Sequence, residues 1–188
     1  MTYDWTGLCA RCQTGERLKF IFFWKHTEPE GQVTKACFSQ WYPSVFTAGG
    51  VTYQSAEQYM MARKALLFED REMFEAIMAA AHPRQCKALG QKVRDFDQAV
   101  WDRHKKQIVV DGNLAKFSQN EPLERFLLGT GQRILVEASP YDKIWGIGMT
   151  AGDPRAEDPL QWNGQDLLGF ALMEVRDILG EKNTEKEI

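Results

Sequence analysis

Residues 54–65 of the sequence read Q-S-A-E-Q-Y-M-M-A-R-K-A and predict a helix that carries chemistry. Ser55 is a favourable N-cap, because its hydroxyl oxygen can accept a hydrogen bond from a first-turn N–H. The apolar residues that follow recur at helical spacing. Glu57 and Lys64 interrupt this apolar face two turns apart, so the long Lys64 side chain can lean back toward Glu57. The pair indicates either a ligand pocket or two solvated charges on a half-exposed helix.

The composition is that of an ordinary folded domain in water. Of the 188 residues, 44% are hydrophobic and 26% are charged, and the net charge is -3. No apolar run approaches the roughly 18 residues that span a bilayer, and the N-terminus lacks the apolar segment of a signal peptide. We therefore expect a cytoplasmic protein with no membrane partner. The mild acidity argues against a surface that coats nucleic acid, but it leaves room for a local phosphate pocket.

Helix and strand signals along the chain predict many helices and few strands. Strands are predicted at residues 18–24, 51–53 and 133–137, and helices at 55–66, 71–82, 83–90, 98–117, 121–128 and 165–179. Because strands and helices do not alternate regularly, we expect a single α+β domain that is predominantly helical. We place this domain at residues 18–180, between an irregular leader (residues 1–17) and a charged tail (residues 181–188).

A second stretch with candidate functional residues is L-V-E-A-S-P-Y-D-K-I-W-G-I-G at residues 135–148. Glu137 ends an apolar strand, and Asp142 and Trp145 follow in a loop, which is where binding groups usually lie. Glycines such as Gly146 allow a backbone to approach a ligand closely. The alternative is that Asp142 only caps a turn and Trp145 only fills the core.

Two other tryptophans and a lysine complete the set of candidates. Trp41 and Trp101 are flat aromatic groups, which can stack on a heterocyclic base for roughly 1–3 kcal/mol or can simply belong to the core. Lys116 lies at the end of the long predicted helix, where it can contact the last helical carbonyl oxygens or a ligand phosphate.

Several common site motifs are absent from the sequence. It contains no glycine-rich dinucleotide motif, P-loop, H-E-x-x-H or nucleophile elbow. Cys9 and Cys12 have metal-binding or redox spacing, but no second ligand pair follows at a suitable distance, although His26 could join them. We expect reduced thiols, no metal and no cofactor.

Six segments together resemble the YbiA-like, or NADAR, family. They occur in the order found in that family: S-Q-W-Y-P-S-V-F (39–46), Y-Q-S-A-E-Q-Y-M-M-A-R-K-A (53–65), L-G-Q-K-V-R-D-F (89–96), K-F-S-Q-N (116–120), L-V-E-A-S-P-Y-D-K-I-W-G-I-G (135–148) and L-L-G-F-A-L-M-E-V-R (167–176). Two positions depart from the family pattern, since Gln40 stands where Asn is common and Gln58 where His is common. We therefore expect neither glutamine to be essential for activity.

The resemblance implies an N-glycosidase. Members cleave ribosylamine 5-phosphate intermediates of riboflavin synthesis, and others remove ADP-ribose from guanine in nucleic acid. We expect Lys64 to be the nucleophile, with Glu57 or Asp142 moving the proton. The substrate contacts are expected from Trp41, Trp101, Lys116, Glu137, Trp145 and Gly146. The expected partner is a phosphoribosyl or ADP-ribosyl small molecule, with ADP-ribosylated nucleic acid as the alternative; the oligomeric state is not predicted.

Other roles remain open from the sequence. Lys64 can instead bind a phosphate as a point charge. The whole domain can bind NAD or ADP-ribose without turnover, or it can be a helical scaffold in which Glu57 and Asp142 have no ligand.

Overall fold

The computed structural model describes residues 3–27 and 29–186 of the chain. The helices in this part are α1 (Trp5–Gln13), α2 (Ala56–Leu67), α3 (Arg71–Met78), α4 (Pro83–Gly90), α5 (Gln98–Ser118), α6 (Glu121–Leu128) and α7 (Leu167–Lys186). The strands are β1 (Phe20–Phe23), β2 (Phe46–Ala48), β3 (Val51–Tyr53) and β4 (Ile134–Glu137). The predicted α+β class with a predominance of helix is therefore confirmed. Among these described segments, none of the helices combines the length and apolar character that a membrane span requires.

The first of two compact units contains residues Met1–Ser39 and Glu121–Ile188. Its two strands are parallel, and Phe23 at the end of β1 pairs with Glu137 at the end of β4. Helix α7 packs very closely on β4, because a Cβ atom on Gly169 would lie 2.1 Å from a β4 carbonyl oxygen. Only glycine fits this contact, so the start of α7 is held directly against β4.

The second unit contains residues Gln40–Asn120. Strands β2 and β3 form an antiparallel hairpin, joined by Gly49 and Gly50. Both glycines have positive φ angles, 58° and 78°, as a two-residue hairpin turn requires. The hairpin leads directly into α2, where the Ser55 hydroxyl accepts a hydrogen bond from the Gln58 N–H as predicted. Helix α2 then packs against α3, α4 and α5, so it is the central element of this unit.

The prediction of an irregular leader is wrong for Trp5–Gln13, which form α1. The Asp4 side chain caps this helix by accepting a hydrogen bond from a first-turn N–H. Leu8 is buried, and the Trp5 indole N–H donates to the carbonyl oxygen of Pro159 at 2.9 Å. These contacts, which involve residues distant in sequence, order a segment whose own pattern is weak. Residues 1 and 2 of the expected leader lie outside the described residues.

The final helix is longer than predicted. We expected Gly180 to close it, but α7 continues to Lys186, so the charged tail is helical as far as the structure describes it. A glycine inside a helix costs only about 1 kcal/mol relative to alanine. That cost is offset by the favourable helix formers that follow and by the Asn183 side chain, which donates to Glu124 of α6 at 3.0 Å. Residues 187 and 188 lie outside the described residues.

Candidate active site

Glu57 lies in the first turn of α2 and exposes only 3% of its surface. Its backbone N–H donates to the carbonyl oxygen of Gln40 at 2.9 Å. Burial, with a further contribution from the nearby Glu57 charge, raises the pKa of the Cys86 thiol to about 11. The partial positive charge at a helix N-terminus favours a carboxylate in this place. Glu57 is therefore a buried acidic group whose charge acts on Cys86 of α4.

Lys64 lies near the C-terminal end of α2, and its amine lies next to two aromatic rings. Nζ donates a hydrogen bond to the carbonyl oxygen of Gly90 at 2.8 Å. It also lies 4.1 Å from the ring centre of Phe96 and 5.6 Å from that of Trp101. Burial lowers the pKa of this amine. The side chain thus reaches the end of α4 and does not lean back toward Glu57 as we expected. A helix C-terminal carbonyl group and two ring faces attract a cation at the observed position.

Polar side chains also lie beneath α2, in the interior of the second unit. The Asn113 amide donates to the Gln40 side-chain oxygen at 3.0 Å and to the Val109 carbonyl oxygen at 2.8 Å. Lys116, one turn further along α5, is completely buried, and its amine lies 5.4 Å from the ring centre of Tyr42. Among the described residues, Gln40 Nε2 and Asn113 Oδ1 are buried and have no hydrogen-bond partner. Buried polar atoms without partners are rare, so this pair marks a place where a polar ligand would be favourable.

The two tryptophans of this unit have different environments. Trp101 exposes 9% of its surface, and its ring packs against one side of the Lys64 amine. Trp41 is only half-buried, and its ring meets His82 edge to face, with 6.1 Å between the ring centres. Trp41 is therefore the tryptophan of this pair with surface available for stacking.

The structure gives Gln58 a structural role. Its side-chain oxygen accepts a hydrogen bond from the Gln54 N–H at 2.8 Å. Its amide nitrogen donates to the carbonyl oxygens of Ile77 and Met78 at 3.2 and 3.3 Å. One buried amide thus connects the start of α2 to the end of α3.

In the first unit, the loop after β4 contains the second group of predicted site residues. The Glu137 carbonyl oxygen accepts a hydrogen bond from the Ile147 N–H at 2.9 Å, which closes the loop. One carboxylate oxygen of Asp142 accepts from the N–H groups of Ile144 and Trp145, at 2.9 and 2.8 Å. Asp142 therefore orders the turn that presents Trp145, which is the structural alternative considered from the sequence.

Gly146 is required by the packing of this loop itself. A Cβ atom on Gly146 would lie 2.6 Å from the Glu137 carbonyl oxygen and 3.2 Å from that of Asp142. Contacts below 3.0 Å to a backbone atom cannot be relieved by a side-chain movement. A substitution here would therefore displace Glu137 or Asp142.

Asp166 was missed from the sequence, although it is completely buried at the start of α7. Its carboxylate accepts a hydrogen bond from the Glu137 N–H at 2.8 Å, and its own N–H donates to the Gly146 carbonyl oxygen at 3.2 Å. Burial is the largest of the causes that raise its pKa well above the usual range, and the charge of Glu137 adds to this. The sequence feature that could have identified Asp166 is its position directly before the apolar run of the last helix, which is typical of an N-cap residue. Asp166 joins Glu137 to the glycine loop.

The predicted site residues thus lie in both units. In the second unit the structure brings Lys64 and Trp101 together, and it buries Glu57 and Lys116. In the first unit Glu137, Asp142, Trp145 and Gly146 share one hydrogen-bonded loop.

The N-terminal cysteines are reduced thiols in this structure. Cys9 and Cys12 are not bridged, and burial raises the pKa of both. Over residues 3–27 and 29–186, no cluster of three or more His, Cys, Asp or Glu side chains could hold a metal ion.

Comparison with known proteins gives consistent matches. The model of the NADAR domain matches residues 22–180, which include parts of both units. N-glycosidase R617 of Acanthamoeba polyphaga mimivirus is 46% identical over 164 residues, which are 85% of this chain and 95% of that protein. N-glycosidase Npun_R5314 of Nostoc punctiforme is 32% identical over 84% of this chain and 90% of its own length.

Two further matches extend the comparison. Riboflavin biosynthesis protein VVA0006 of Vibrio vulnificus is 30% identical over 93% of this chain, which corresponds to 42% of that protein. The NMR structure of the E. coli protein YbiA superposes with a TM-score of 0.70 and 26% identity. That match covers 89% of this chain and 88% of YbiA.

Proposed function

The chain belongs to the NADAR domain family and is an N-glycosidase, and on this basis we propose which bond it cleaves. We propose the bond between C1′ of a ribosyl group and the nitrogen of a base, in a ribosylamine 5-phosphate of the riboflavin pathway. The name of the Vibrio vulnificus relative favours this substrate class. ADP-ribose attached to guanine contains the same kind of bond and is the second candidate.

The observation that carries the proposal is the pair of charged groups on α2, of which Glu57 is buried and Lys64 is half-buried. Glu57 is a carboxyl group that is almost completely buried, and Lys64 is an amine whose pKa is lowered by burial. A lowered pKa increases the fraction of neutral amine at neutral pH, and only the neutral amine is a nucleophile. The Gly90 carbonyl oxygen accepts a hydrogen bond from this amine and holds it at the end of α4.

The proposed reaction uses both groups in sequence. A ribosylamine in its ring-opened form has a C1′–N double bond to the base nitrogen. Lys64 Nζ forms a bond to C1′, the double bond becomes single, and a proton moves from Nζ to the base nitrogen. The bond from C1′ to the base nitrogen then breaks, and protonated Glu57 gives its proton to that leaving nitrogen. Water adds to C1′ of the resulting Schiff base, the bond to Nζ breaks, and the sugar phosphate leaves as an aldehyde. Glu57 regains its proton from the water.

The remaining predicted residues have binding roles in this proposal. Trp41 offers a partly exposed ring for the base, and Lys116 with the Gln40–Asn113 pair offers buried polar atoms. In the first unit, Asp142 orders the loop that carries Glu137 and Trp145 through its hydrogen bonds with the backbone. We therefore assign the proton transfer to Glu57 and not to Asp142.

Borohydride trapping tests the nucleophile. Incubation with a ribosylamine 5-phosphate and sodium borohydride should leave a reduced sugar phosphate on the peptide that contains Lys64, found by mass spectrometry. Lys64→Arg should abolish the adduct and slow base release by about 100-fold or more. Lys87→Arg, an exposed lysine of α4, is the matched control and should behave as wild type. Base release without an adduct, or an adduct on Lys116, would remove Lys64 from this role.

A further inference from the structure

Strand β1 uses only one of its two edges for hydrogen bonding within the first unit. In a parallel pair, the N–H and C=O groups of successive residues point alternately to one edge of the strand and to the other. The Ile134 N–H donates to the Lys19 carbonyl oxygen at 2.8 Å, so the odd-numbered residues of β1 face β4. Phe20 and Phe22 therefore face the other edge, where their backbone groups have no hydrogen-bond partner among the described residues.

The side chains of β1 do not protect this open edge. Proteins usually protect an edge strand with charged side chains, proline, a bulge or a covering loop. The sequence of β1 is F-I-F-F, which contains neither a charge nor a proline. Phe20 and Phe22 are half-buried, and their rings stack with 5.7 Å between the ring centres. An apolar strand with an open edge is a template for a further strand, and several peptide-binding domains hold an extended peptide in this way.

An apolar groove of about 460 Å³ lies on the opposite face of β1 from these two rings. It is lined by Ile21 of β1 and by Val33, Pro122 and Phe126. Successive side chains of a strand point to opposite faces of a sheet. A strand added at the open edge would therefore direct every second side chain to the face of β1 on which the groove lies.

The charges at both ends of β1 are positive. The register of the strand pair places Lys19 opposite Arg133, which lines the groove, and both side chains are exposed. Like charges directly opposite each other on neighbouring strands are destabilising, and in residues 3–27 and 29–186 neither cation has an ion-pair partner. Arg125, the other cation of the lining, is paired with Glu121. Lys25 is exposed beyond the other end of β1. Acidic groups at the two ends of an added strand would complement these charges.

We propose that the open edge of β1 is a docking site for an extended segment of another protein that is apolar at its centre and acidic at its ends. The segment pairs with the backbone groups of Phe20 and Phe22, places an apolar side chain in the groove and brings a carboxylate to Lys19 and Arg133. The proposal is independent of the bond that is cleaved, and all of its residues lie in the first unit.

A second copy of the chain fits this edge less well than an acidic segment does. Two β1 strands paired antiparallel would bring Lys19 of each copy toward Lys25 of the other, because these lysines flank the strand at its two ends. Such pairing would add like-charge contacts. The charges therefore favour an acidic partner over self-association.

Fluorescence anisotropy with a labelled peptide tests the site on the full chain. The probe is a capped nine-residue peptide of five central valine and isoleucine residues with two glutamates at each end. It should bind about tenfold or more tightly than the same peptide with lysines in place of the glutamates. Lys19→Ala/Arg133→Ala should raise the Kd for the acidic probe about fivefold or more. The matched control is Lys87→Ala/Arg103→Ala, an exposed pair in the second unit, which should bind as wild type does. Thermal denaturation verifies that each variant is folded.

N-methylated probes test the strand pairing itself. Methylation of a peptide nitrogen removes its N–H donor and blocks close approach of another backbone. In an added strand only alternate N–H groups face β1, so two probes are methylated at either the odd or the even central positions. One of them should bind about tenfold or more weakly than the unmodified probe, and the other should bind nearly as well.

Four results would overturn the assignment. Three of them are no binding of the acidic probe to wild-type protein, equal affinity in the Lys19→Ala/Arg133→Ala variant, and equal affinity of the two methylated probes. The fourth is a wild-type dimer in sedimentation equilibrium that Phe22→Pro converts to a monomer. Since the Phe22 N–H points away from β4, proline there removes no bond of the strand pair, and this result would assign the edge to a second copy.

Discussion

Lys64 illustrates which properties of a single residue can be predicted from sequence. A lysine and a glutamate in an apolar helical run were recognisable as unusual, and in the structure Glu57 is buried and Lys64 is half-buried. The partner of the amine was not predictable, because Gly90 is 26 residues away and reaches Lys64 only when α4 packs on α2. Sequence spacing predicts neighbours on one helix, whereas the partners of long side chains depend on tertiary packing.

Asp166 provides a test at the residue scale through the pH dependence of stability. Its pKa is raised in the folded protein, so the folded state binds the proton more tightly than the unfolded chain does. The resulting stabilisation is complete below the pKa of an unfolded aspartate, near pH 4, and is lost as the pH rises through the raised value. Asp166→Asn does not titrate. We therefore expect the free energy of unfolding of the variant to improve relative to wild type as the pH rises above about 4.

Urea denaturation at a series of pH values measures this difference. The control is Asp111→Asn, which changes an exposed carboxylate on α5. A constant offset between wild type and Asp166→Asn at every pH would mean that Asp166 has an ordinary pKa in the folded protein.

The starts of the helices were the most predictable features at the scale of the elements, whereas α3 ends at Met78 and not at the predicted residue 82. Ser55 caps α2 as predicted, and Asp70 and Asp97 cap α3 and α5 directly before the predicted starts of these helices. Helix α4 has the predicted bounds, with Pro83 in its first turn. The error at α1 has a physical cause, since that helix depends on contacts with Pro159 far along the chain.

Gln58 provides a test of how two helices are held together. Gln58→Ala removes both hydrogen bonds to α3 and leaves the carbonyl oxygens of Ile77 and Met78 without this donor. We expect a loss of about 1–3 kcal/mol in the free energy of unfolding, measured by chemical denaturation. Gln85→Ala on the exposed face of α4 is the matched control and should change it by less than about 0.5 kcal/mol. Equal effects of the two substitutions would show that the Gln58 amide does not join α2 to α3.

The resemblance to the NADAR family was predictable at the scale of the whole molecule. Six segments spread over the chain identified it, and the match to the NADAR domain over residues 22–180 confirms it. The candidate site was predictable only as a set of residues. Asp166 and Asn113 were missed because their burial arises from the packing of helices that their local sequence does not specify.

Release of a free base is the measurement that tests the account most directly. The purified protein is incubated with a ribosylaminopyrimidine 5-phosphate and, separately, with ADP-ribosylated guanine, and the products are separated by chromatography. We predict release of base and sugar from the ribosylamine 5-phosphate, slowed about 100-fold or more by Glu57→Gln and unchanged by Glu75→Gln, an exposed glutamate of α3. Both substrates remaining intact with folded wild-type protein, despite tight binding, would contradict the account and indicate a binding module.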